Sequence, residues 1–232
     1  MILIVVVLSV LTIRHLQRAF FYPMPGEMPD VVTPDINVAL HRFEMALANH
    51  APDVLSALQL GLSDKEIASV EAKYRLRLTE ELRSLYRWRN GSGPETKAKI
   101  EIIPGHWFAP LEYAAQEREE IRHQLSQQPL LLRAVSFMFV GHRTKWLGVL
   151  DDLCGDGYFY DPGRRHRSGS FFYHFAEDRQ YRFFPSLSNF LTGAAECYET
   201  EIYKTGRRAH SVEDVEREFA LWSQYASWPR DF

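Results

Sequence analysis

Three short constellations carry the side chains that could do chemistry or recognition in this chain. Asp151-Asp152-Leu-Cys-Gly-Asp156-Gly157 gathers three carboxylates, and hard divalent cations take several oxygen ligands of this kind. Its spacing departs from a calcium-binding loop at the loop's third position, and Asp and Gly are residues that tight turns select. An acidic hairpin turn without a metal is the expectation. Arg164-Arg165-His166-Arg167 has the composition of a phosphate-contacting cluster. It lies between Gly163 and Gly169, where the composition is that of an exposed hairpin loop, and a solvated loop tip is the expectation. The formal charge of −3 makes no electrostatic case for nucleic acid, and none is expected as a partner. The third constellation is Pro104-Gly-His106-Trp107-Phe108-Ala-Pro110. Two large aromatics beside a histidine suit a binding hot spot. They suit equally the filling of a gap between a sheet and a helix, and both readings stay open.

Catalytic signatures are missing around these groups. There is no G-x-S-x-G elbow, no histidine pair four residues apart, and no lysine after Gly91-Ser-Gly93 to make a phosphate loop. Gly155-Asp-Gly157 does not continue into a dinucleotide fingerprint. Cys154 and Cys197 lie 43 residues apart, which excludes C-x-x-C zinc or redox sites and a disulfide-dense secreted scaffold. No catalytic residue, no cofactor-binding residue and no metal ligand is expected, so the chain reads as non-enzymatic.

Hydrophobic periodicity supplies the elements that must position these groups. Val38, Leu40, Phe43, Leu47, Val54, Leu55 and Leu58 recur at helical spacing with a break at Pro52. Ser63-Asp-Lys-Glu66 is a capping box ahead of Ile67, Val70 and Tyr74, and Thr79 is a second N-cap. Asn90-Gly91 reads as the stop of that second helix. Ile100 to Ile103 predicts a short strand, and Leu111 to Gln128 a helix carrying Tyr113, Ala114, Glu117, Ile121 and Leu125 on its spacing. Val135–Val140, Trp146–Leu150, Gly157–Pro162 and Ser170–Phe175 read as strands rich in aromatics. Residues 186–203 predict a core-facing helix, and a last helix is expected from a capping box at Ser211 and Asp214. Helices, then antiparallel strands, then helices argue an α+β fold. The 46% hydrophobic and 25% charged fractions of the 232 residues are those of an ordinary globular domain.

The chain opens with MILIVVVLSVLTI, thirteen residues without a charge. As a helix this run is about 20 Å long, short of the ~30 Å hydrocarbon core, though it can extend to Tyr22. No basic residues precede it and no small-residue cleavage site follows, which argues against a cleaved secretory signal. Arg14 and Arg18 follow the run and by the positive-inside rule place the body in the cytoplasm. A buried core helix or strand is the competing account. Four prolines between Pro23 and Pro34 make a semi-rigid spacer, which favours an anchor. The expected organisation is an apolar helix and membrane anchor at 1–22, a linker at 23–36, an α+β domain at 37–205 and a C-terminal helix at 206–232.

Leu62-Ser-Asp-Lys-Glu-Ile67, Leu78-Thr-Glu-Glu-Leu82, Leu85-Tyr86 and Asn90-Gly91 together resemble the SUKH superfamily, named partly for a fungal cell-wall-assembly regulator. Ile102-Ile-Pro-Gly, Phe108-Ala-Pro-Leu111, Leu147-Gly-Val-Leu-Asp151 and Ser186-Leu-Ser-Asn-Phe190-Leu191 continue the resemblance over roughly residues 60–200. Thr79 departs from it, standing where a proline is usual. The resemblance implies a protein-binding α+β module with N-terminal helices, a central antiparallel sheet and C-terminal helices. Many bacterial members are immunity proteins that bind a co-encoded toxin and block its active site, and fungal members serve cell-wall regulation. An immunity protein with a cognate toxin as partner is therefore the expectation, with a membrane-tethered scaffold or envelope regulator as the alternative. Its location is expected to be cytoplasmic, at the inner membrane if residues 1–22 anchor it. The expected partner-binding residues are His106, Trp107, Asp151, Asp152, Asp156, Arg164, Arg165 and Arg167, the carboxylates suiting a basic target.

Overall fold

The structure is a computed structural model of the chain and describes residues 26–92, 100–129, 144–152, 154–162, 170–175, 180–205 and 210–227. The carboxylate of Asp35 accepts the Asn37 N–H at 2.8 Å and opens helix α1 (Ile36–His50). Ala39, Leu40, Phe43, Ala46 and Leu47 form its buried stripe. Pro52 then stands at the start of a short helix α2 (Pro52–Ala57), where a missing N–H is no loss. Residues 58–60, expected to continue the helix, instead form strand β1 (Leu58–Leu60).

Helix α3 (Asp64–Tyr74) begins at the expected capping box. The Ser63 N–H donates to Glu66 Oε2 at 2.7 Å, and the Glu66 N–H donates to Ser63 Oγ. Helix α4 (Glu80–Trp88) starts at Thr79. It ends before Asn90-Gly91, which belong to strand β2 (Arg89–Ser92) paired antiparallel with β1. Gly91 is needed there for a reason other than helix termination. Its φ is 69°, and a Cβ would lie 2.5 Å from the Phe108 carbonyl oxygen, so only glycine lets the two backbones approach.

The main sheet runs in sequence order: β3 (Glu101–Ile103), β4 (His106–Phe108), β5 (Leu147–Asp151), β6 (Gly157–Tyr160), β7 (Phe171–Phe175) and β8 (Gln180–Phe184), all antiparallel. Helix α5 (Leu111–Gln127) lies in the connection between β4 and β5. Helix α6 (Leu187–Glu199) follows β8, and a hairpin of β9 (Tyr203–Thr205) and β10 (His210–Val212) leads to helix α7 (Val215–Tyr225). Asp214 alone caps α7, accepting the Arg217 N–H at 2.9 Å. Ser211, expected in that capping box, lies in β10 and donates to Glu213 instead. The fold is α+β.

Residues 1–22, the expected strand Val135–Val140 and the basic loop carrying Arg164, Arg165 and Arg167 lie outside the described residues. No helix among the described residues is long and apolar enough to cross a membrane.

Both faces of the sheet are apolar. Tyr158, Tyr160, Phe171, Tyr173 and Phe184 face the main core, while Phe159, Phe172, Tyr181 and Phe183 join Trp146 in a second buried cluster on the other face. Helix α6 covers the first face and is itself enclosed by α1, α7 and the sheet. Its buried polar groups are satisfied from outside the helix. Glu81 of α4 accepts the Leu187 and Ser188 N–H groups and the Ser188 hydroxyl, the last at 2.7 Å. Asn189 accepts the Thr33 hydroxyl and donates to the Val32 carbonyl, which ties residues 32 and 33 to the body. Trp222 of α7 stacks on Phe190 with ring centroids 5.6 Å apart. That stack requires Gly193, because a Cβ there would lie 2.7 Å from Trp222 Cζ3. Gly193→Ala is therefore expected to destabilise the fold by about 1–3 kcal/mol through overpacking, measured as a lower urea midpoint with an unchanged slope.

Candidate functional site: an acidic and aromatic edge of the sheet

Strand β4 is three residues long, and its alternation decides what the sheet can present here. His106 and Trp107 are neighbours in sequence, so their side chains leave opposite faces. The His106 ring sits edge-on between Tyr158 and Tyr173, with centroids at 5.2 and 5.3 Å, on the main-core side. Its Nδ1 is 2.9 Å from the Pro104 carbonyl, and its buried Nε2 has no hydrogen-bond partner. Trp107 lies directly opposite Asp151 of β5 and packs edge-on against Tyr113 of α5 at 5.2 Å. Trp107 is only 5% exposed, whereas Tyr113 is 43% exposed. The histidine and the tryptophan of the expected hot spot thus do not share one face.

The acidic segment is a turn between β5 and β6. Asp152 Oδ1 accepts the N–H groups of Cys154 and Gly155 at 2.8 and 2.9 Å, and the Asp152 N–H donates to the Asp156 carbonyl. Asp152 thus builds the turn, an Asx-type closure that Asp performs with its own side chain. Among the described residues, no group of three or more His, Cys, Asp or Glu side chains is arranged to hold a metal ion. Cys197, buried in α6, has its thiol pushed up to about 12 by burial, which makes it a packing residue rather than a nucleophile.

The structure brings five of the expected partner-binding residues to this edge: His106, Trp107, Asp151, Asp152 and Asp156. It adds Tyr113, Glu117 and Glu120 from α5. Burial raises the Tyr113 hydroxyl above its ordinary value, and the charges of Glu117, Asp151 and Glu120 add to the effect. Burial likewise raises Tyr173, helped by Asp156 and Asp152. The edge is therefore a partly exposed tyrosine, backed by a buried tryptophan and surrounded by carboxylates. The periodicity had placed Tyr113 on the helix spacing with Ala114 and Leu125. The buried stripe of α5 is Leu111, Ala114, Ala115 and Leu125, and Tyr113 falls beside it. The spacing of Leu111, Ala114 and Ala115 was the available signal, because residue 113 lies off that stripe.

Burial holds the His106 imidazole below its ordinary value, against the Pro104 hydrogen bond and the charges of Asp152, Asp156 and Asp151, all of which favour protonation. The unfolded chain therefore binds this proton more readily than the folded one. The His106 contribution is intact above about pH 6.5 and is lost as pH falls from there through the lowered folded value. Urea midpoints at pH 7.5 and 5.0 should differ less in His106→Phe than in the wild type, with the remaining carboxylates common to both. An equal drop in the two proteins would refute the assignment.

Residues 61–193, more than half of the chain, match the family model described as SMI1 / KNR4 family (SUKH-1). The matched span runs from just ahead of α3, through the whole six-stranded sheet, into the first half of α6. No match is found among curated proteins. The capped helices, the meander and the enclosed helix that follows it are thus the family's own span, and the chain belongs to the SMI1 / KNR4 family (SUKH-1).

Proposed function

We propose that this chain is a non-enzymatic immunity protein that neutralises a cognate bacterial toxin by occluding it, and that the toxin docks on the edge around Tyr113. The observation that carries the reading is the half-exposed Tyr113 ring resting on buried Trp107 inside a rim of Asp151, Glu117 and Glu120. An aromatic anchor with a polar rim is how binding energy is usually concentrated at interfaces. Carboxylates in that rim suit a basic target, such as the substrate cleft of a toxin that cleaves nucleic acid, and speed the encounter. Occlusion needs no catalytic group, only a surface of about 800 Å² on each partner. Family membership supports a protein-binding role of this kind.

The alternative role is an envelope scaffold tethered through residues 1–22, favoured by their uncharged run. It predicts loss of function when those residues are deleted, whereas neutralisation of an overexpressed toxin should survive the deletion.

The test is co-expression with the toxin domains encoded beside this chain in its native genome. Growth rescue and a stable complex on size-exclusion chromatography are expected. Tyr113→Ala should weaken that complex by about 2 kcal/mol, roughly thirtyfold in Kd. Asp151→Asn should slow association and flatten its salt dependence. No rescue by the unaltered chain, or full affinity in Tyr113→Ala, would refute the proposal.

A further inference from the structure

Helix α5 carries Tyr113 but has no cap of its own. A helix leaves its first backbone N–H groups without intrahelical partners, and the side chain just before it usually accepts one of them. Here that position is Pro110, which makes no side-chain hydrogen bond. The Ala114 N–H reaches back within the helix, donating to the Pro110 carbonyl at 3.0 Å. Leu111 at the first helical position is 0% exposed, so solvent does not serve its N–H, and a buried donor left without a partner is costly.

The partner comes from much earlier in the chain. The Leu111 N–H donates to the Asn90 side-chain oxygen at 3.0 Å, and the Asn90 amide nitrogen donates to Gln59 Oε1 of β1 at 3.5 Å. Asn90 reaches the helix because Gly91 has no side chain. A Cβ there would lie 2.7 Å from the Pro110 nitrogen and 2.8 Å from the Ala109 carbonyl carbon. The ribbon of β1 and β2 is thereby packed directly against the turn from β4 into α5. The same turn is tied to the main sheet, where the Ala109 N–H donates to the Val149 carbonyl of β5 at 3.0 Å. Lys73 of α3 also meets Glu112 at 2.6 Å, but both side chains are more than half exposed and such a pair adds little.

We propose that Asn90 is a positioning residue of the recognition edge: it caps α5 from the β1–β2 ribbon and so sets where the Tyr113 ring lies. Tyr113 is two residues beyond the capped N–H, and its ring meets Trp107 edge-on, with centroids 5.2 Å apart and planes at 70°. Trp107 is held in β4 by its pairing with Asp151 of β5. The geometry of the ring pair therefore depends on how α5 leaves the turn. What Asn90 supplies is an acceptor at a helix N-terminus, which aspartate can replace and alanine cannot. The consequence for a partner rests on the Tyr113 docking reading, whereas the placement of the ring does not.

The test uses the full chain with Tyr113→4-fluorophenylalanine, read by fluorine NMR, because the shift of a ring beside an indole reports their contact. In this background Asn90→Ala should move the signal towards its value in urea, and Asn90→Asp should leave it in place. Ser63→Ala removes the cap of α3 and should also leave it in place, which separates positioning from a general loss of stability. An unmoved signal in Asn90→Ala, or an equal movement in Asn90→Asp or Ser63→Ala, would overturn the proposal. A second measurement stands whether or not Asn90→Ala folds. In the unaltered chain the Leu111 amide should exchange at least about a hundredfold more slowly than in the unfolded chain, and an unprotected Leu111 would also overturn the proposal. Failure of the docking reading shows separately, as no complex between the unaltered chain and the neighbouring toxin domain, and leaves the fluorine signals unaffected.

Discussion

Much of the architecture depends on one constraint: helix α6 is enclosed on nearly all sides. Ten of its residues are buried, and four of them, Ser188, Asn189, Cys197 and Tyr198, carry polar or titratable atoms. A buried N–H or hydroxyl without a partner costs about 1–3 kcal/mol, so such a helix is tolerable only if other segments satisfy its start. Glu81 reaches across from α4 to do so, placing a carboxylate where the helix dipole favours negative charge. Asn189 is met by Thr33 and Val32 from the chain that precedes α1. Elements that are distant in sequence are thus held in register by the polar needs of one helix. The same enclosure demands glycine at 193, because Trp222 must lie against the helix to complete the core.

The sheet then determines what reaches the surface. Its aromatic strands bury both faces, which leaves its short edge, rather than a face, as the place where charge and exposed rings can accumulate. The turn from Asp151 to Gly157 and the first turns of α5 meet at that edge. Burial dominates the titration of His106, Tyr113 and Tyr173 there, and the neighbouring carboxylates modify it. The result is a negatively charged rim around a ring held from behind.

Local signals in the chain were legible wherever the deciding interaction spans only a few residues. The capping box at Ser63 and Glu66, the cap at Thr79, the break at Pro52 and the aromatic strands around residues 158 and 173 all follow from short-range geometry. The readings that changed were those decided by distant partners. Asn90-Gly91 has the chemistry of a helix stop, yet it forms a strand because β1 lies alongside and the Phe108 backbone presses against Gly91. Ser211 has the spacing of a capping box, but pairing with β9 takes it into a strand and leaves Asp214 to cap α7.

The same division holds for the candidate site. By itself the sequence determined the α+β class, the family, the acidic turn and the presence of His106 and Trp107 beside each other, because composition, period and short motifs carry those facts. Only the tertiary structure decided that His106 and Trp107 part to opposite faces and that Asp151 comes to lie opposite Trp107. It also decided that Tyr113, rather than either of them, is the exposed ring. The physical reason is that side-chain direction in a strand depends on the sheet it joins, and the exposure of a helical residue on what that helix packs against. Both are settled by partners tens of residues away.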